Sequence, residues 1–164
     1  MQLPDPEQLI QQLAAAIQPR LRANTALVGI HSGGAWVAQK LHHLLGDDLP
    51  LGTLDISFYR DDFSSIGLHP QVRPSDIAFE VEDAHIILID DVLHTGRTVR
   101  AAMNELFDYG RPATIELVVL IDRGGRELPI AADLVGATLE LTQNQNIQVN
   151  LDPNNQLKLS LHER

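Results

Sequence analysis

The chain has 164 residues, 44% of them hydrophobic, enough to bury a core as one domain, and no apolar run approaches the roughly 18 residues of a membrane helix. A net charge of −10 speaks against a general nucleic-acid binder, which needs a basic face to displace counterions, and requires any pocket for an anion to be built locally. The absence of cysteine excludes disulfides, a thiol nucleophile and cysteine-ligated metal; MQLPDPEQLIQQ at the N-terminus lacks the pattern of a signal peptide, so a cytoplasmic setting is expected.

Residues 5–22 predict a helix, with Leu9, Ile10, Leu13, Ala14, Ile17 and Leu21 at helical spacing. Ala26–Ile30 is a short apolar strand, and His31-Ser32-Gly33-Gly34 turns it into a second helix ending near Gly46. In that helix Trp36, Val37, Leu41, Leu44 and Leu45 form the apolar side, while His42 and His43 are expected to be exposed. Leu54, Ile56 and Phe58 alternate in a strand over Gly52–Tyr59. Residues 60–75 are polar, hold Gly67, Pro70 and Pro74 and show no period, which predicts a long flexible loop with Asp61 and Asp62 as solvated charges. Ile77–Val81 is expected to return as a strand.

His85–Ile89 is apolar after its first residue, as in a strand covered on both faces. Residues 97–109 predict a helix closed by Gly110 and Pro112, with Phe107, like Trp36, a core or subunit contact. Ile115–Ile121 is a second buried strand, DRGGRELP a loop, and Leu134-Val135 part of a weak short strand. Ile147, Val149 and Leu151 alternate, DPNN turns, and Leu157, Leu159 and Leu161 alternate again, which predicts a terminal hairpin. The strand–helix–strand repeats give an α/β fold with a mainly parallel central sheet. Ligands of such sheets sit beyond the carboxyl ends of the strands. The loops after Ile30, Tyr59, Ile89 and Ile121 are all rich in Gly, Ser, Thr, Asp or Arg, so they are read as one site.

The richest chemistry lies in IILIDDVLHTGRT, residues 86–98. Asp90 and Asp91 at a strand end are suited to accept hydrogen bonds from two ribose hydroxyls, or to reach a magnesium ion directly or through water. Thr95, Gly96, Arg97 and Thr98 then lead into a helix, whose first amides and dipole favour an anion; Thr95 and Thr98 add hydroxyls, and Gly96 permits close approach. The result is a phosphate cup about one sugar from the carboxylates. Neither GxxxxGK[ST] nor GxGxxG occurs, so this is not a triphosphate or dinucleotide loop.

Four apolar residues, two acidic residues and TGxT resemble the PRPP (phosphoribosyl pyrophosphate) motif of type I phosphoribosyltransferases. The resemblance covers nearly the whole chain. DISFYRDDFS (55–64), DDVLHTGRTVRAAM (90–103), GRPATIEL (110–117) and LIDRGGRELPI (120–130) resemble the PyrR proteins, which transfer phosphoribosyl to uracil and in many cases bind pyrimidine-operon messenger RNA as attenuation regulators. The resemblance implies uracil plus PRPP giving UMP plus pyrophosphate, magnesium bound mainly with PRPP, and a homodimer or higher homo-oligomer. Asp90 and Asp91 would hold the ribose, and Val92, Leu93 and His94–Thr98 would complete the PRPP site. Ser32, Gly33 and Arg60 would meet the pyrophosphate, with the long loop closing over the substrate. Asp122 and Arg123 would lie in the base-binding hood.

Two departures stand out. Many members carry a basic residue where Gly33 stands; His31 is a candidate to compensate. RNA-binding members are basic in the first helix and at the positions of Gly125, Ala131 and Ala137, whereas this chain has no basic residue in that helix before Arg20, and keeps Arg123 and Arg126 near the loop. The rival readings are therefore an RNA-binding regulator, expected here to be weak, a nucleotide sensor without turnover, and a phosphoribosyltransferase for another base.

Overall fold

The computed structural model describes residues 1–56 and 75–164. Helix α1 spans Pro6–Ile17. The Asp5 carboxylate caps it, accepting the Glu7 amide at 3.0 Å, and Pro6 sits in the first turn, where its missing N–H costs nothing. Pro19 has no amide to continue the helix, so the predicted reach to residue 22 is cut short and Gln18–Arg20 forms a single 3₁₀ turn.

Strand β1 (Thr25–Ile30), helix α2 (Gly33–Leu45), β2 (Leu51–Leu54), β3 (His85–Leu93), α3 (Arg97–Tyr109), β4 (Thr114–Asp122) and β5 (Leu134–Thr138) follow. The five strands form a parallel sheet in the order β2-β1-β3-β4-β5. Strands β6 (Gln145–Leu151) and β7 (Leu157–Glu163) form the expected antiparallel hairpin. One core cluster lies between the sheet and α1, α2 and the hairpin, with Leu13, Ile17, Leu41, Leu120 and Val149 among its members. The other lies under α3, with Val28, Ile30, Leu88, Ala102 and Leu106. Each fully buried Leu or Ile contributes about 1.5–3 kcal/mol relative to its exposed state. No helix among the described residues is long and apolar enough to cross a membrane.

Several expectations change. Ile77–Val81 is not a strand: only Asp76 pairs, exchanging both backbone bonds with Thr53 at 2.8 and 2.9 Å, after which Ile77 and Phe79 cover Gly52 with side chains. The strand predicted over Gly52–Tyr59 stops at Leu54, although Ile56 stays buried. The last residues of that prediction, and the loop with Arg60, Asp61 and Asp62, lie outside the described residues. Phe107 is 57% exposed and so is no core residue; Trp36 is half-buried against the core. His42 is half-buried too, its Nε2 2.7 Å from the Leu49 carbonyl, which ties α2 to the chain after it.

Candidate active site

Strand β3 is longer than its apolar residues suggest. Asp90 pairs with Val119, Val92 with Ile121 and Leu93 with Asp122, so both aspartates stay within the strand instead of leaving it. Neighbouring β4 supplies the ladder that keeps them there. Asp90 is only 3% exposed. Its Oδ1 accepts the Asp91 amide at 2.9 Å, and Asp91 Oδ1 accepts the Val92 amide at 2.8 Å.

Glycine brings the β1–α2 turn against these aspartates. A Cβ on Gly29 would lie 2.7 Å from the Ala38 Cβ, so α2 packs tightly on β1. A Cβ on Gly34 would lie 2.6 Å from the Ile89 carbonyl, and one on Gly33 would lie 2.0 Å from Asp91 Oδ2. Ser32 stands at the N-cap of α2 without a side-chain capping bond, and the His31–Ser32 peptide bond is cis.

A cavity of about 480 Å³ opens beside the carboxyl end of β3. Asp90–Gly96, Thr98 and Val99 form one wall, with the first turn of α3 at its base. Gly96 caps that helix with φ +93°, a conformation that favours glycine, and Ile130 leaves no room for a side chain. The first amides of α3 have no intrahelical acceptor, so the cup presents donors and positive dipole to the cavity. Arg123, the β6 residues Asn146–Asn150 and Arg164 form the opposite wall.

The cup and the loop after β4 are joined along their length. The Arg123 amide donates to the Leu93 carbonyl at 3.1 Å, and the Glu127 and Leu128 amides donate to the Thr95 carbonyl at 2.9 and 3.1 Å. His94 Nδ1 lies 2.9 Å from the Gly124 carbonyl, and Arg126 donates to the His94 carbonyl at 2.9 Å. Arg126 also donates to the Ile130 carbonyl and pairs with Asp122 at 2.7 Å. That hydrogen bond holds the Asp122 carboxyl below its ordinary value; burial opposes the shift, and the Gly124 amide and the charge of Arg126 reinforce it. Burial, and then the charge of Arg164, pull the Arg123 guanidinium below its ordinary value. Arg123 donates to the carbonyls of Gln145 at 3.0 Å and Thr142 at 3.5 Å, which fastens this loop to the hairpin.

The phosphoribosyl transferase domain family matches residues 2–154. The chain is 56% identical over 153 residues to the bifunctional protein PyrR of Pseudomonas fluorescens, covering 91% of each. It belongs to the PyrR family of phosphoribosyltransferases. Another PyrR-family relative, from Pseudomonas putida, is 53% identical, with 91% of this chain and 89% of that protein covered. The hypoxanthine phosphoribosyltransferase of Staphylococcus aureus superposes with a TM-score of 0.66 at 23% identity, over 83% of this chain and 74% of that one. A hypoxanthine-guanine phosphoribosyltransferase from Bacillus anthracis gives 0.67 at 20% identity, over 85% and 83%. Those two structures share the fold.

Against this PyrR-family frame the predicted residues sort themselves. Asp90, Asp91, Val92, Leu93, His94, Thr95, Gly96, Thr98 and Arg123 line one cavity. The Arg97 side chain does not line it; its Nε pairs with Glu127 at 2.9 Å and its amide donates to Thr95 Oγ1. Asp122 also stands back, its oxygens accepting from Gly124 and Arg126. Gly33 reaches the site through its contact with Asp91, and Ser32 adjoins it in the same turn. Arg60 lies outside the described residues. Sequence reasoning missed Asn146, Gln148, Asn150 and Arg164. The alternation of β6 marked Asn146, Gln148 and Asn150 as a polar face, but not what that strand adjoins.

Proposed function

We propose that this PyrR-family chain transfers phosphoribosyl from PRPP to uracil, giving UMP and pyrophosphate in cytoplasmic pyrimidine salvage. The observation that carries the reading is the buried Asp90 and the half-buried Asp91 in the same cavity as Thr95, Gly96 and Thr98 of the cup and the β6 wall. The C1–pyrophosphate bond breaks as the bond from C1 to uracil N1 forms, and the N1 proton is lost. The cup holds the 5′-phosphate and the two aspartates hold the ribose hydroxyls, which fixes C1 for in-line attack. The Asp91 carboxylate also stabilises positive charge that develops on the sugar. Ser32, Gly33 and Arg60 receive the pyrophosphate. Asp122 shapes the base loop through Arg126, and Arg123 faces the base across the cavity.

The donor set suits magnesium. Aspartate oxygens are hard ligands, and among the described residues no group of three metal-ligating side chains forms a cage of its own. Asp90 and Asp91 would thus hold an ion, in part through its waters, that is bound mainly by PRPP; when present it offsets the charge of the leaving pyrophosphate.

Incubating the protein with PRPP, magnesium and uracil, and in parallel with orotate, hypoxanthine and guanine, tests the reading. UMP formation with uracil preferred is expected; no UMP at saturating substrate defeats the enzyme reading, and preference for another base corrects the substrate.

RNA attenuation is the second function we consider, and we propose that it is weak here. Gly125, Ala131 and Ala137 add no charge, and both guanidiniums beside the hood are already bonded, Arg123 to two carbonyls and Arg126 to two carbonyls and Asp122. Filter binding with pyrimidine leader RNA, with and without UMP, should show little retention; nanomolar binding enhanced by UMP would refute this.

A further inference from the structure

We propose that His94, which belongs to the phosphate cup by sequence, acts through its imidazole as the positioning residue of the base loop. The inference rests on the reading of residues 122–126 as that loop. The flanks of the loop are held by backbone bonds from Arg123 to Leu93 and from Glu127 and Leu128 to Thr95. Its apex is Gly124-Gly125, with φ of +71° and +79°. Two successive left-handed glycines bend the chain sharply, and they also lose the most backbone freedom on ordering.

His94 is the side chain that engages both apex residues. Its Nδ1 lies 2.9 Å from the Gly124 carbonyl. A carbonyl only accepts, so Nδ1 carries the hydrogen. The ring also lies against Gly125: a Cβ there would stand 2.6 Å from His94 Cε1 and 2.8 Å from Nδ1. The main chain of residue 94 completes the clasp by accepting from Arg126. Removal of the imidazole leaves the apex with the Asp122 carboxylate on the Gly124 amide as its remaining side-chain bond and nothing on the Gly124 carbonyl, and base binding must then supply more of the order. The cup, built from backbone and the α3 terminus, keeps its own geometry.

The prediction is a split between two ligands. In the full-length protein, His94→Ala should weaken UMP and raise KM for uracil by about fivefold, the worth of one exposed hydrogen bond, while Kd for ribose 5-phosphate and KM for PRPP stay within about twofold. His94→Asn, whose amide can donate to the same carbonyl, should recover most of the loss. Gly125→Ala, which crowds the ring from the other side, should reproduce the His94→Ala pattern. Calorimetric titration of both ligands, with steady-state rates, reads all of these. Equal losses for ribose 5-phosphate and UMP would show that the ring serves the phosphate, and unchanged UMP binding would show that it positions nothing; either overturns the proposal. If the wild-type protein binds UMP no better than ribose 5-phosphate, the uracil reading fails instead, and the same split is measured with the nucleotide of the base that it does turn over.

Discussion

Gly34→Ala tests how the site is held together. The new methyl would lie 2.6 Å from the Ile89 carbonyl oxygen, 3.0 Å from the Asp90 Cα and 3.2 Å from Asp90 Oδ1. Neither backbone partner has room to yield. Ile89 and Asp90 are 0% and 3% exposed, and β4 pairs them with Val118 and Val119. The β1–α2 turn must therefore retreat by about 0.8 Å before the contact reaches an ordinary 3.4 Å. Overpacking of this kind costs about 1–3 kcal/mol, against at most about 1 kcal/mol gained from placing alanine in a helix. The net cost is then about 0–3 kcal/mol, and at roughly 2–4 °C per kcal/mol for a chain of this size Tm should fall by up to about 12 °C. Catalysis should suffer more, because the retreat separates the turn proposed to meet the pyrophosphate from the aspartates, and a misplacement near 1 Å costs on the order of 10²-fold. Thermal unfolding followed by circular dichroism and initial rates with PRPP and uracil read the two effects. Gly46→Ala is the control: nothing lies within 4 Å, φ is +129°, and the strain is far from the cavity, so Tm should fall with kcat unchanged. A Gly34→Ala protein with unchanged Tm and kcat would refute the close approach of α2 to β3.

Asp91→Asn should lower kcat by about tenfold or more, since it removes the charge opposite the developing sugar cation; unchanged turnover would take Asp91 out of the mechanism. Arg126→Met keeps the stem but loses the bonds to Ile130, His94 and Asp122, and should lower stability by about 2–3 kcal/mol in urea titrations; no shift in midpoint would mean that these bonds contribute nothing net. Asp122 has a depressed folded pKa, mainly from its hydrogen bond with Arg126, so its contribution to stability is present above the unfolded value near ~3.9 and is lost as pH falls through the folded one. Unfolding free energy measured from pH 6 down to 3 should fall more steeply in the wild type than in Asp122→Asn; equal slopes would remove the linkage.

Much of the architecture was legible because apolar period and turn chemistry agree. Ile86–Ile89 and Leu117–Ile121 are unbroken apolar runs, and their strands lie inside the sheet. The ends were harder. Asp90 and Asp91 look like a loop because isolated carboxylates disfavour strands, yet the ladder to β4 carries them to Leu93. Ile77–Val81 misled in the opposite sense, since an apolar stretch does not show whether its backbone has a partner, and only Asp76 does. Within the site, the cup could be read because its donors are contiguous. The far wall could not, because β6 reaches it from about fifty residues away through the packing of Ile147 and Val149 into the core.

The bare position at Gly33 is best understood together with Asp91. Taken as composition, a glycine there is a missing cation in the turn proposed to meet the pyrophosphate. In the folded chain the same position is filled from across the sheet: Asp91 Oδ2 occupies the space that a Cβ would need, 2.0 Å from where that atom would stand. A side chain at position 33 and this placement of Asp91 exclude one another. Any residue larger than glycine would turn the carboxylate away from α2, so the charge lost from the turn and the carboxylate's resting position are one feature of the site. On the proposed function, an acidic protein can thus assemble an anion pocket. The donors come from the amides of α3, and glycines at 29, 33 and 34 let the turn, the strand and the helix approach closely enough to share it.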